Sequence, residues 1–245
     1  MTRIDLHVKL LNESVVERAR SRGLEAIVYA PHFTQLPTIE ARAATYSTQS
    51  LTVIPAREIF TGPWWNRRHI LAIGLTDPIP DFIPLEQTMN EIERQGAAVL
   101  IPHPTFLSVS LTSEEIDHYA DRIHALEIYN PKHLKRHNRR AKHIAQACDL
   151  PTFGSSYAHR TATIGEVWTT LTTDITDVFD LRDALIAGKL GTIERNTGWR
   201  HSIRCGAEVA HLGWENTWQK FNRVILEEKE PTHPNNPCYA DRFSD

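Results

Sequence analysis

The chain has 245 residues, 41% of them hydrophobic, with 27 lysines and arginines against 30 acids and a formal charge of -3. That is enough for one large α/β domain or a barrel with appendages, and the near-balance of charge excludes a uniformly cationic nucleic-acid coat while leaving room for a local basic patch. The scattered Cys148, Cys205 and Cys238 exclude a disulfide framework and a thiolate zinc site. The start "MTRID" has no apolar leader, and no window approaches the roughly 18 apolar residues of a membrane span, so the expectation is a cytoplasmic protein with no membrane.

In chain order, "RIDLHV" reads as a strand and "NESVVERARSRG" as a helix, capped by Asn12, apolar along Val15, Val16 and Ala19, and ended by Gly23. Further strands fit "EAIVYA", "LTVIPARE", "HILAIGL", "AAVLIP", "ALEIYN" and "PTFGS". Their continuous apolar character is that of parallel strands buried on both faces. Helices fit "LEQTMNEIERQG", "SEEIDHYADRI" behind the capping-box spacing of Thr112 and Glu115, and "NRRAKHIAQACDL", which puts Ala141, Ile144, Ala145 and Cys148 on one face. Seven strands alternating with helices predict a parallel β/α barrel or a doubly wound sheet.

In both architectures chemistry gathers where strands end. Here His7, His32, Glu58, His103 and His159 each follow an apolar run, and His69 opens one. A lone histidine beside such a run is ordinarily a hydrogen-bonded rim residue. Six imidazoles and carboxylates at successive strand ends are the ligand set of zinc, manganese or iron, with Glu58 able to bridge two ions.

The ordered set "DLHVK", "GLEAIVYAPH", "IPAREIFTG", "RHILAIG", "AAVLIPHP", "LEIYN" and "GSSYAH" resembles the PHP family, named for polymerase and histidinol phosphatase. The resemblance implies a distorted seven-stranded, TIM-like β/α barrel of metal-dependent phosphoesterases over residues 1–195, with residues 127–166 similar to the PHP-associated C-terminal region. It implies metal ligation by His7, His32, Glu58, His69, His103 and His159, with Glu58 bridging and His69 and His103 sharing one ion with it. The family's D-L-H-x-H is broken by Lys9, its T-D-H stands as Ala30-Pro31-His32, and its S-D-A-H carries Tyr157 in place of aspartate. In family terms the missing histidine and the missing aspartate serve the same ion, which His7 and Glu58 would also touch. Lysine has no lone pair when protonated but supplies a charge, so Lys9 is expected to replace that ion and pair with Glu58, leaving one or two divalent ions (zinc, manganese or iron) rather than three. A further site would use His32 and His159 with Asn12 or Glu13.

After "ALEIYN" the run "PKHLKRHNRR" carries Lys132, Arg136 and Arg139 at a strand end leading into a helix, a setting that suits phosphate. Arg57, Arg67, Arg68 and Arg160 are candidates for the same lining, and the expected substrate is anionic and phosphorylated. In "FTGPWWNRRH", Trp64 and Trp65 read as a Pro-turned hairpin over the barrel mouth or as a stacking platform for a nucleotide or single-stranded nucleic acid. Residues 196–230 are expected to form a helix packed on the barrel, with Trp214, Trp218, Phe221 and Ile225 on one face, and 231–245 a loosely ordered tail. Nothing sets the oligomeric state. The implied activity is phosphoester hydrolysis of a small metabolite, nucleotide or nucleic-acid end, in nuclease or phosphatase fashion, with Lys9, Glu58 and His159 as catalytic residues. The alternative is a catalytically impaired module that binds a phosphorylated ligand or metal in a regulatory role.

Overall fold

The protein is described by a computed structural model covering residues 1–105, 109–211, 230–239 and 243. All seven expected strands form: β1 (Thr2–Val8), β2 (Ala26–Tyr29), β3 (Thr52–Thr61), β4 (Arg68–Ile73), β5 (Ala98–Ile101), β6 (Ala125–Tyr129) and β7 (Thr152–Gly154). They lie side by side in chain order, and two strands absent from the sequence reading, β8 (Val167–Leu171) and β9 (Leu190–Arg195), continue the sheet beyond β1. The sheet is therefore nine-stranded and curls into a nearly closed barrel. Thr169 on β8 bridges the seam to β7: its Oγ1 accepts from Gly154 N–H at 3.0 Å and donates to Gly154 O at 2.9 Å. Gly154 is fixed by this closeness, since a Cβ there would stand 2.5 Å from Ile193 of β9.

The expectation of an all-parallel sheet is corrected. β1, β2 and β3 are parallel, as are β5, β6 and β7, but β4 is antiparallel to both its neighbours, and β8 to β1 and β9. Apolar runs report burial on both faces, which a covered mixed sheet shares.

Helices pack on the barrel: α1 (Glu13–Ser21), α2 (Leu36–Tyr46), α3 (Leu85–Arg94), α4 (Ser113–His118), α5 (Lys135–Ala147) and α6 (Val178–Ile186). Asn12 caps α1, accepting from Val15 N–H at 3.1 Å. Thr112 and Glu115 complete a reciprocal capping box on α4, worth about 1 kcal/mol. Inside the barrel, Ile4, Leu6, Val28, Ile54, Ala56, Leu71, Leu100 and Phe153 pack in layers with Leu181 and Leu185 of α6. Outer layers join α1 and α2 to β1–β3, and α3, α4 and α5 to β4–β6.

Residues 199–211 are helical. Glu166, fully buried, ties this segment to α1 by accepting from Arg18, Arg22, His201 and Arg204. The aromatic stripe of Trp214, Trp218, Phe221 and Ile225 lies outside the described residues. Within the tail, Thr232 is fully buried and donates to Asp81, whose own N–H donates to Thr232 O at 2.8 Å, a firmer attachment than its composition suggests. Among the described residues no helix is long and apolar enough to cross a membrane.

Candidate functional site

Glu58 follows Ile54 and Ala56 along the inward face of β3, so alternation turns its carboxylate into the barrel at the strand's C-terminal end. The reversal of β4 explains why a histidine that opens a strand reaches the same end: His69 stands opposite Phe60 in the ladder and stacks on its ring, centroids 3.9 Å apart. His103 follows β5. Glu58 Oε1 is 3.2 Å from His69 Nδ1 and 3.1 Å from His103 Nε2.

These three buried side chains are the one group of potential metal ligands found together among the described residues, their ligand atoms within 4.8 Å of one another. A tetrahedral ion with bonds of about 2.1 Å places its ligand atoms roughly 3.4 Å apart, close to what is seen. The tautomer of His103 agrees. Ser110 Oγ gives its proton to His103 O and lies 3.0 Å from Nδ1, so Nδ1 points its hydrogen at Ser110 and Nε2 is the nitrogen left to ligate beside Glu58 Oε1. His69 Nε2 is also buried without a hydrogen-bond partner among the described residues. The donor set fits a divalent ion.

The other oxygen meets different chemistry. Glu58 Oε2 is ion-paired with Lys9 Nζ, 2.7 Å from His32 Nε2 and 3.7 Å from His7 Nε2. Lys9 also donates to Ala30 O at 2.5 Å. A bulge in β1 between Asp5 and Val8 re-aims the strand end. Both ring nitrogens of His7 are buried without partners among the described residues. Tyr157 fills the remaining space, its ring centroid 4.7 Å from that of His7, 5.2 Å from that of His103 and 4.9 Å from that of His159.

Burial would raise the carboxyl of Glu58, but the Lys9 charge and the surrounding histidines hold it well below the usual range. Burial, with Lys9 adding to it, lowers His32 to about 4 and holds His7 well below its ordinary range; burial also lowers His69 to about 3. These imidazoles are neutral at pH 7, the state in which they ligate metal.

Lys132, nearly buried, is the one expected substrate cation inside the pocket, its Nζ 2.7 Å from His159 Nδ1 and 4.0 Å above the Tyr157 ring. Two others are corrected. Arg57 is buried on the opposite side of β3, paired with Asp81 at 3.1 Å and donating to Thr34 O at 2.8 Å. Arg68 is paired with Glu115 of α4 at 2.8 Å. Arg67 lies over Trp64 at 4.0 Å, within a turn where Trp64 packs near Phe33 and Phe82 while Trp65 is 81% exposed. Arg136 and Arg139 line a groove along α5 with Arg140 and His143, and Arg160 is exposed. Neither Asn12 nor Glu13 supplies a third ligand beside His32 and His159: Asn12 is committed to capping α1, and Glu13 is exposed.

Three buried acids went unnoticed in the sequence because single acids beside apolar runs resemble ordinary strand edges. Glu127 accepts from His103 N–H at 2.6 Å and Ser155 Oγ at 2.6 Å. It thereby holds His103 at φ 35°, a left-handed conformation that costs about 1–3 kcal/mol. Asp5 accepts from Ser156 N–H at 3.0 Å and Gly165 N–H at 3.2 Å, steadying the residue before Tyr157, itself at φ 46°. Glu208 comes from the 199–211 helix. Only the motif D-L-H gave a signal, for Asp5.

A comparison with curated proteins finds no match. Among solved structures, PsfC from Pseudomonas syringae is similar at a TM-score of 0.62 and 16% identity, over 88% of this chain and 100% of that one. A protein from Bifidobacterium adolescentis described as a metal-dependent phosphoesterase has a TM-score of 0.53 and 16% identity, over 74% and 95%. An amidohydrolase from Chromobacterium violaceum, whose structure holds sulfate and no metal, has a TM-score of 0.56 and 13% identity, over 78% and 97%. At such identities these likenesses speak for the fold. The family model described as PHP-associated matches residues 135–190, later in the chain than the expected 127–166 and running from α5 to the start of β9. The PHP-associated region thus follows a barrel whose fold is shared with these structures.

Proposed function

We propose that the protein is a metal-dependent phosphoester hydrolase holding one divalent ion, zinc, manganese or iron, at Glu58, His69 and His103, with Lys9 in place of a second ion. The observation that carries this is the division of Glu58: Oε1 stands 3.2 and 3.1 Å from ring nitrogens of His69 and His103, while Oε2 is occupied by an ammonium. An ion bound at such a site polarises a phosphoryl oxygen and lowers the pKa of a bound water.

The chain's own residues do the remainder. Lys9 keeps Glu58 ionised and offers charge to the substrate's phosphoryl oxygens. Lys132 offers a second charge across the Tyr157 ring. His159, its Nδ1 2.7 Å from Lys132 Nζ, is placed to relay a proton between that lysine and the leaving oxygen. The substrate is a small phosphorylated metabolite, a nucleotide or a nucleic-acid end, and Trp65, exposed beside the mouth, is the available stacking surface for a base.

Elemental analysis of reconstituted protein, beside a screen of phosphoesters with manganese, zinc and iron, tests the reading. Metal-dependent release of phosphate is the expected result. Metal and phosphate binding with no turnover of any phosphoester would instead make the chain a PHP-fold binding module.

A further inference from the structure

We propose that Glu208, carried by the helical segment outside the barrel, is a positioning residue that holds Lys132 against the Tyr157 ring as Glu58 holds Lys9, making the C-terminal segment a wall of the site; this rests on the phosphoester reading for its use. Glu208 is 1% exposed. Its Oε1 accepts from the backbone N–H of His159 at 2.5 Å and lies 3.3 Å from Lys132 Nζ and 3.6 Å from His159 Nδ1. Its Oε2 accepts from Thr163 Oγ1 at 2.7 Å. One carboxylate therefore fixes the backbone of the pocket loop and the ammonium that reaches into it.

The arrangement repeats that at Lys9. Each lysine side chain is nearly buried, at 4% and 3% exposure, each is paired with one buried glutamate, and each stands over the same Tyr157 ring, at 5.6 and 4.0 Å. Lys132 also sits against His159, beside which the family resemblance would place another ion. Both lysines are thus held against Tyr157 by a buried carboxylate, and Glu208 is to Lys132 what Glu58 is to Lys9. On its helix Glu208 continues the inward face of His201, Arg204 and Cys205, so the ties of Glu166 to His201 and Arg204 also fix where Glu208 arrives.

The test uses the full-length, metal-loaded protein. Glu208→Gln keeps the shape and the acceptor for Thr163 but removes the charge. Competitive acetylation read by mass spectrometry should label Lys132 at least about tenfold faster in Glu208→Gln than in the wild type, because an ammonium stripped of its buried partner loosens or sheds its proton; Lys9 labelling and metal content should not change. Unchanged Lys132 labelling overturns the proposal. If Glu208→Gln does not fold, Glu208→Asp, with the charge withdrawn by one methylene, is judged by the same criterion. On p-nitrophenyl phosphate, Glu208→Gln should lower kcat/KM by about tenfold in the wild type and by less than about twofold in a Lys132→Ala background. An equal loss in both backgrounds means that the carboxylate only anchors the helix, which also overturns the proposal. If the wild type hydrolyses no phosphoester while Lys132 labelling responds to Glu208, the hydrolase reading fails and the positioning role stands.

Discussion

The two oxygens of Glu58 look into two regions of one pocket that are built differently. On the Oε1 side, the β3–β4 ladder fixes the place of His69, Glu127 holds the backbone of His103 just past β5, and Ser110 lies 3.0 Å from His103 Nδ1. On the Oε2 side, a lysine on the loop after β1 has taken the central place, with an aromatic ring where a carboxylate would have to approach. On the proposed reading, one side would take an exchangeable ion while the other carries the charge of Lys9. The comparison then teaches that a metal pocket can give up ligands on one side and keep the charge that its bridging carboxylate needs.

The largest expected effect comes from breaking the Oε2 side. Lys9→Ala strands a buried carboxylate, a change that costs about 3–5 kcal/mol. Urea unfolding in chelator should show that loss, and adding manganese should recover part of it; a loss below about 1 kcal/mol would make Lys9 a bystander. Next is the Oε1 side: His103→Ala or His69→Ala should weaken metal binding by at least about 100-fold while the fold persists, since Glu58 keeps Lys9. Unchanged metal content in both variants would remove the ligand assignment. A smaller, sharper effect is reconstruction. Lys9→His with Tyr157→Asp should take up one additional, weaker ion per chain, and Lys9→His alone should not; equal uptake by both would mean that Tyr157 does not stand in the way.

A further effect is in pH. His32 and His69, held at about 4 and about 3 by burial, have an ordinary value of 6.5. Below 6.5 the unfolded chain takes up these protons and the native pocket does not, so stability falls as the pH drops toward the native values. Asp5, raised by burial from 3.8 to about 6, acts in the opposite sense between those two values. Four lowered histidines in the pocket, His7, His32, His69 and His159, outweigh it. Metal-free protein should unfold at lower urea at pH 5 than at pH 7, and His32→Asn should narrow the gap. Equal midpoints would contradict the buried neutral state.

Much of this was legible in the sequence. Strands β1–β7 are short β-branched runs between turn residues, and the caps of α1 and α4 are local hydrogen-bond chemistry. Strand direction was not, because apolar periodicity carries burial and not polarity, and it was the reversal of β4 that explained His69. The exposed alternation of β9 and the Pro-led start of α2 gave weak signals. At the site, Lys9 was found because it breaks a motif, whereas Arg57 looked like pocket lining only because it adjoins Glu58; alternation along β3 sends it to the other face, to Asp81. Glu208 could not have been found by strand-end logic at all, since it arrives from a helix some fifty residues after His159 in the chain.

The most direct measurement is the location of metal in crystals of manganese-reconstituted wild-type protein by anomalous scattering. One peak is expected, between Glu58 Oε1, His69 and His103, with the Lys9 ammonium on Oε2. A peak on the Oε2 side, with Lys9 turned away, would contradict the exchange of an ion for a lysine.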